Sequence, residues 1–304
     1  MAYLTPPALQ HIDMHNWTEI SKQIASTTGM ALAKPRARSV GGGSINDAYV
    51  LKCDEQKYFV KVNHAHLLAM FEAEAEGLNE MRSANAIRVP APICWGTSGS
   101  DAYIVLEYIP LGGKGSGTRL GEQLAAMHRK QWDRFGWTRD NTIGSTPQAN
   151  TPCDSWADFF REYRLGFQLE LAASNGGAQL MRQGERLMAK LDVFFTDYQP
   201  VPSLLHGDLW GGNYSTDHDG NPVIFDPATY FGDREADIAM TELFGGFPRD
   251  FYGAYNEAWP LDAGYFTRKT LYNLYHVINH FNLFGGGYLS QADRMIGSLL
   301  SELG

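Results

Sequence analysis

Asp208 and Asn213 stand five residues apart in the stretch SLLHGDLWGGN (203–213), and Asp226 closes the apolar run Pro222-Val223-Ile224-Phe225 that follows a DGN turn at 219–221. A carboxylate, an amide and a second carboxylate are the groups that transfer of a phosphoryl group to a hydroxyl requires. One carboxylate receives the hydroxyl's proton and orients it for in-line attack. The amide and the other carboxylate offer oxygen atoms, the ligands that Mg²⁺ prefers. Positioning and charge neutralisation lower most of the barrier, and a general base adds ~10²–10⁴-fold. The plainer alternative is an Asx-rich turn at a strand end. It accounts less well for three such groups at these spacings between apolar strands.

The first half of the chain carries residues that fit the same chemistry. Lys61 interrupts the apolar run Tyr58-Phe59-Val60-Lys61-Val62, so it either faces solvent by alternation or is held inside for a purpose. Thirteen residues on, Glu74 lies in an acidic helical stretch between Glu72 and Glu76, where it is either the partner of an inward lysine or part of a solvated face. An inward lysine held by a helix glutamate is how kinases clamp the α and β phosphates. Gly41-Gly42-Gly43-Ser44 precedes a strand and opens no helix, which excludes a dinucleotide fingerprint, and no GxxxxGK[ST] occurs. A glycine hairpin whose amides approach phosphate oxygens fits this context, as does an ordinary turn. The Asp208–Asn213 spacing is also that of the kinase pattern H-R-D-x-x-x-x-N.

The elements that must position these residues follow from hydrophobic periodicity. Asn16 to Thr28 reads as a short helix with Thr18 as its cap. GGGSINDAYVLKC and QKYFVKVN form two strands around a tight turn near Asp54–Gln56, and HLLAMFEAEAEGLNEMRSA is an amphipathic helix. ICWG and DAYIVLEYI supply two more strands, PLGGKGSG (110–117) is a flexible connector, and the remainder is helical apart from a loop and hairpin between Val201 and Asp226. The expected fold is α+β in two lobes. A small antiparallel sheet lobe with one main helix spans 1–108, and a larger, mostly helical lobe spans 109–304.

Composition narrows the function. The chain has 304 residues and a net charge of −9 from 34 acidic and 25 basic side chains, which argues against a broad nucleic-acid surface. No apolar stretch approaches the ~18 residues a bilayer span needs, and the N-terminus shows no signal-peptide pattern. The three cysteines are an odd count with no CxxC pair, so the plain reading is a reduced, cytoplasmic protein. The 32 glycines exceed the ~7% average and cluster at 41–43, 112–117, 211–212, 245–246 and 285–287.

HGDLWGGN (206–213), FDPATYFGDREADIAMTELFGGF (225–247) and NLYHVINHFNLFGGGYLSQA (273–292) closely resemble the fructosamine (ketosamine) kinases. These belong to the small-molecule kinases that share the protein-kinase-like fold with aminoglycoside and choline phosphotransferases. The resemblance covers nearly the whole chain. It implies an ATP- and Mg²⁺-dependent enzyme that phosphorylates the C3 hydroxyl of a glycated amine, small or protein-bound, after which the adduct decomposes. By it Asp208 is the catalytic base, and Asn213 and Asp226 are Mg²⁺ ligands. Lys61 and Glu74 orient ATP beneath Gly42, Gly43 and Ser44, and Glu107, Tyr108 and Ile109 present backbone groups to adenine. Gly207 replaces the kinase arginine and Pro227 follows Asp226 where protein kinases have D-F-G.

Acceptor residues are less determined. Trp210 is either an aromatic wall for a sugar face or a core residue. Asp233 and Glu235 are candidates for an amine-bearing substrate or ordinary helix-start carboxylates, and Asp237 reads as structural. His276 and His280 lie i, i+4 as in zinc sites but lack the glutamate of HExxH. The competing functions are a phosphotransferase for another small alcohol, such as an aminoglycoside or metabolic sugar, and a nucleotide-binding pseudokinase.

Overall fold

The structure is a computed structural model that describes residues 15–31, 34–41 and 45–303. Gly42, Gly43 and Ser44, the expected phosphate-covering turn, lie outside the described residues. Helix α1 (Trp17–Thr28) precedes strands β1 (Arg36–Ser39), β2 (Asp47–Cys53) and β3 (Gln56–His64). Helix α2 (Leu68–Ser83) then leads to β4 (Pro92–Ser98) and β5 (Asp101–Glu107). The five strands form one antiparallel sheet in the order β1-β2-β3-β5-β4. Asn16, not Thr18, caps α1. The helix begins at Trp17, so the third amide falls on Glu19, which donates to Asn16 Oδ1 at 3.2 Å.

Both faces of this sheet are covered, and that settles which way Lys61 points. Ile20 and Ile24 of α1 pack with Leu51, Tyr58, Val60, Val62 and Val105 on one face. Ile104 and Leu106 on the other face join Phe71, Ala75, Leu78 and Met81 of α2 in a core that continues into the second half of the chain. Alternation along β3 places Val60 and Val62 under α1 and Lys61 on the opposite side. That side is roofed by α2, not by water.

The second half contains α3 (Gly117–His128), β6 (Asn141–Ile143), β7 (Thr146–Gln148), α4 (Trp156–Phe160), α5 (Phe167–Ser174) and α6 (Ala178–Met188). After these come β8 (Ser203–Leu205), β9 (Tyr214–Thr216), β10 (Pro222–Ile224), β11 (Tyr230–Gly232), α7 (Glu235–Leu243), α8 (Arg249–Ala258), α9 (Tyr265–Phe284) and α10 (Tyr288–Glu302). Strands β9 and β10 pair as an antiparallel hairpin, and β8 pairs with β11. Between α4 and α5 the helix widens into a π turn, Arg161–Gly166, which carries the buried Arg164. Its guanidinium lies 4.6 Å from the Phe159 ring centre and 4.0 Å from that of Tyr230. No helix among the described residues is long and apolar enough to cross a membrane.

The 110–117 connector is not slack. Gly112 and Gly113 donate to the Thr216 carbonyl at 2.9 and 3.1 Å, and Leu111 forms a bridge with Asp217. A Cβ on Gly113 would lie 1.9 Å from the Asp217 carbonyl oxygen. Glycine is used here so that the connector can lie flat on β9, which corrects the expectation of a flexible link.

Candidate active site

The turn after β8 is built from backbone bonds to buried side chains. Asp237, on α7, accepts from the His206 amide at 2.7 Å and the Gly207 amide at 2.9 Å, and its Oδ2 lies 3.1 Å from His128 Nε2. Burial works against the Asp237 charge, yet the His128 contact and these amides hold its carboxyl below the usual range. His206 Nδ1 accepts from the Asp208 amide at 3.2 Å, so its Nε2–H donates to the Phe225 carbonyl at 2.9 Å. Burial keeps this imidazole neutral. Gly207 has φ 82°, and a Cβ there would lie 2.1 Å from the Ala228 carbonyl oxygen. The position has no room for the arginine of the kinase pattern.

Asn213 Nδ2 donates to the Asp208 carbonyl at 2.8 Å and to Asp208 Oδ2 at 3.2 Å, which leaves Oδ1 as the atom available to a ligand. Asp226 follows β10 with φ 58°, a left-handed conformation for a residue with a side chain, and its carboxylate is 46% exposed to the cleft. Lys61 Nζ reaches both sides of this cleft, donating to Glu74 Oε1 at 2.6 Å and Asp226 Oδ1 at 2.5 Å. Burial would lower its pKa, but the charges of Asp226 and Glu74 outweigh this and hold it above the usual lysine value. Glu74 and Asp226 therefore share one ammonium, and Asp208 lies close enough to Asp226 to feel its charge. Burial, then the Asp226 charge, push the Asp208 carboxyl up to about 7 against the opposing Asn213 bond. Burial also raises Glu74. Surplus negative charge beside free carboxylate and amide oxygens is a donor set that suits a hard divalent cation, so Asn213 and Asp226 fit Mg²⁺.

These side chains open into a cavity of about 950 Å³. Lys61, Glu74, Glu107, Tyr108, Ile109, Asp208, Trp210, Asn213 and Asp226 all line it. Glu107 does so at the end of β5, where its carboxylate turns aside to Arg88 at 2.9 Å and the Ala91 amide at 3.2 Å. Trp210 is exposed and meets Phe244 edge to face at 6.4 Å between ring centres, so it is not a core residue.

Asp233 and Glu235 are a correction. Neither lines the cavity, and both are buried. Asp233 accepts from Tyr198 at 2.9 Å and Tyr272 at 2.5 Å, and Glu235 pairs with Arg268 at 2.7 Å. Their chain neighbours on α7 pack inward, so this run of carboxylates anchors α7 against the turn after β8 and is closed to a substrate amine.

Sequence reasoning missed His280 as a cleft residue, having weighed it only for metal. Its Nδ1–H donates to the His276 carbonyl at 2.8 Å, and its ring packs 4.8 Å from Phe244 and 5.2 Å from Tyr288 along the cavity wall. His276 is buried, and burial drives its pKa down to about 3. The two histidines do not converge as a metal pair. Phe244 and Tyr288 also line the cavity, and only the close approach of α7, α9 and α10 identifies them as its wall.

The family model of the fructosamine kinases matches residues 16–302. The chain belongs to the fructosamine kinase family. Within it, a probable ketoamine kinase of Synechocystis sp. is 51% identical over 287 residues, which cover 93% of this chain and 97% of that one. A chloroplastic protein-ribulosamine 3-kinase of Oryza sativa subsp. indica is 44% identical over 289 residues, covering 93% and 84%. A crystal structure from Haemophilus somnus 129PT, assigned as a fructosamine-3-kinase, superposes with a TM-score of 0.86 at 32% identity, covering 93% of this chain and 97% of that one. The family's two-lobed, protein-kinase-like fold is the α+β architecture described above.

Proposed function

We propose that this chain phosphorylates a sugar hydroxyl of ketosamine adducts, drawing the phosphoryl group from ATP. The convergence of Lys61, Glu74, Asp208, Asn213 and Asp226, from four separate segments, on one cavity carries this reading. Asp208 takes the acceptor hydroxyl's proton as the new O–P bond forms and the bond to the leaving phosphate breaks. The Asn213 amide holds the Asp208 carboxylate in place for that transfer, and the Asp237 clamp on His206 and Gly207 keeps the turn from shifting. Lys61, steadied by Glu74, directs its charge at the nucleotide phosphates. Asn213 Oδ1 and Asp226 would hold Mg²⁺, which when bound supplies neutralising charge at the transferring phosphoryl group. Glu107, Tyr108 and Ile109 border the adenine end, with Gly42, Gly43 and Ser44 as the phosphate cover.

Trp210 is the acceptor wall. A ketose presents C–H faces that stack on an exposed indole, and Phe244 and His280 extend this surface away from Asp208. Relatives named for ketoamines and for protein ribulosamines support an acceptor of this chemical class.

The test is an ADP-release assay over a panel in which sugar and amine vary independently. Turnover of ribulosamine or fructosamine adducts, with the phosphate on the sugar, is expected. Phosphorylation of an aminoglycoside with no activity on any ketosamine overturns the assignment, and binding of ATP without transfer to any acceptor makes the chain a pseudokinase.

A further inference from the structure

Arg88 stands outside the catalytic residues, in the loop between α2 and β4, yet it ties Glu107, which lines the cleft at the end of β5, to the turn of the hairpin whose open end carries Asn213 and Asp226. Its NH2 donates to Glu107 Oε1 at 2.9 Å and its NH1 to Asp217 Oδ2 at 2.5 Å. Glu107 ends β5 where the chain enters the stretch that borders the adenine end, and its second oxygen accepts from the Ala91 amide. Asp217 sits at the turn of the β9–β10 hairpin, with a side chain only 3% exposed. Its Oδ1 accepts from the amides of Asp219 at 3.0 Å and Asn221 at 2.8 Å, so this one carboxylate shapes the whole turn. That hairpin begins immediately after Asn213 and ends two residues before Asp226. The backbone repeats the connection, since the Ile224 amide donates to the Arg88 carbonyl at 3.1 Å. The connector closes the junction from the other side through Leu111, Gly112 and Gly113 on Thr216 and Asp217.

We propose that the Arg88 fork is a positioning device that holds the hinge carboxylate of Glu107 in register with the hairpin carrying Asn213 and Asp226, and so fixes the distance between the adenine end and the metal end of the nucleotide site. The inference rests on the nucleotide reading above and goes beyond it by assigning a residue that touches no substrate. Planarity is what suits arginine to this position. Two donors on one rigid guanidinium meet two carboxylates from different segments at a fixed angle, whereas a lysine ammonium is a point charge on a flexible stem. A nucleotide bridges both ends at once, so slack between them weakens its binding without changing the acceptor wall at Trp210.

Three proteins test this: wild type, Arg88→Met and Arg88→Lys. In each, Mg·ATP affinity is measured by calorimetry without acceptor, KM for ATP and for a ribulosamine acceptor is measured separately, and thermal unfolding checks the fold. Arg88→Met is expected to weaken Mg·ATP binding and raise its KM by roughly tenfold. The acceptor KM should move less than about twofold, and Arg88→Lys should recover part of the loss by engaging one carboxylate. An Arg88→Met protein with unchanged nucleotide affinity, or with both KM values and kcat damaged together as Tm falls, refutes the fork as a positioning device. A wild-type chain that binds no Mg·ATP overturns the nucleotide reading along with it. Normal wild-type turnover with an unaffected Arg88→Met overturns the fork alone.

Discussion

Replacing Asp208 with Asn keeps the side chain's shape and its contact with Asn213 while removing the charge. The folded chain raises this carboxyl from 3.8 to about 7, first by burial and then through the charge of Asp226. At about 1.4 kcal/mol per unit, keeping it ionised in the folded state costs at most about 4 kcal/mol. Asp208 is partly open to the cleft, and solvent screening reduces this to about 1–2 kcal/mol. Because the folded value lies above the unfolded one, the cost is absent in acid, grows as pH rises from about 4 to about 7, and is complete above that window. The ligand-free Asp208→Asn protein should therefore be more stable than wild type by about 1–2 kcal/mol near pH 8, with the two converging near pH 4. The same substitution should lower kcat by about 10²–10⁴-fold while Mg·ATP still binds. Urea unfolding of metal-free protein across this pH range, together with an ADP-release assay, measures both effects. If the variant is no more stable at pH 8 and its pH dependence parallels that of wild type, the electrostatic account of the site is wrong. Near-normal turnover would remove Asp208 from the role of base.

Other substitutions probe the rest of the site. Lys61→Met leaves Glu74 and Asp226 without their shared cation, so it should destabilise the fold by about 3–5 kcal/mol at neutral pH and abolish turnover, with calorimetry separating the two losses. With Trp210 as the proposed acceptor wall, Trp210→Ala should raise the acceptor KM by about tenfold and leave that for ATP unchanged; an equal effect on both would contradict that role. Gly113→Ala forces a Cβ onto the Asp217 carbonyl and should cost about 1–3 kcal/mol in urea denaturation. Gly297→Ala, on the exposed side of α10 with nothing within 4 Å of the new Cβ, should gain about 0.5–1 kcal/mol by the same measurement.

The groups that line the cavity were legible in the sequence where they are local to the motifs that carry them. Asp208 and Asn213 share one turn, Asp226 follows the hairpin that comes after it, and the apolar runs around them announce the strands that hold them. The α+β class and the order of elements followed from periodicity for the same reason. Residue types alone did not show which way a side chain points or which distant segment it meets. Lys61 sits at a position that reads equally as solvent-facing or held inside until α2 is known to roof that face of the sheet. Asp233, Glu235 and Asp237 look alike in a row, yet buried partners on distant elements, Tyr272, Arg268 and His128, commit each of them to structure. Arg88 reads as an ordinary polar residue because its two carboxylates lie 19 and 129 positions away. Sequence spacing determines which groups are available, whereas tertiary packing determines which of them share a low-dielectric space, where a charge must find a partner or pay in pKa.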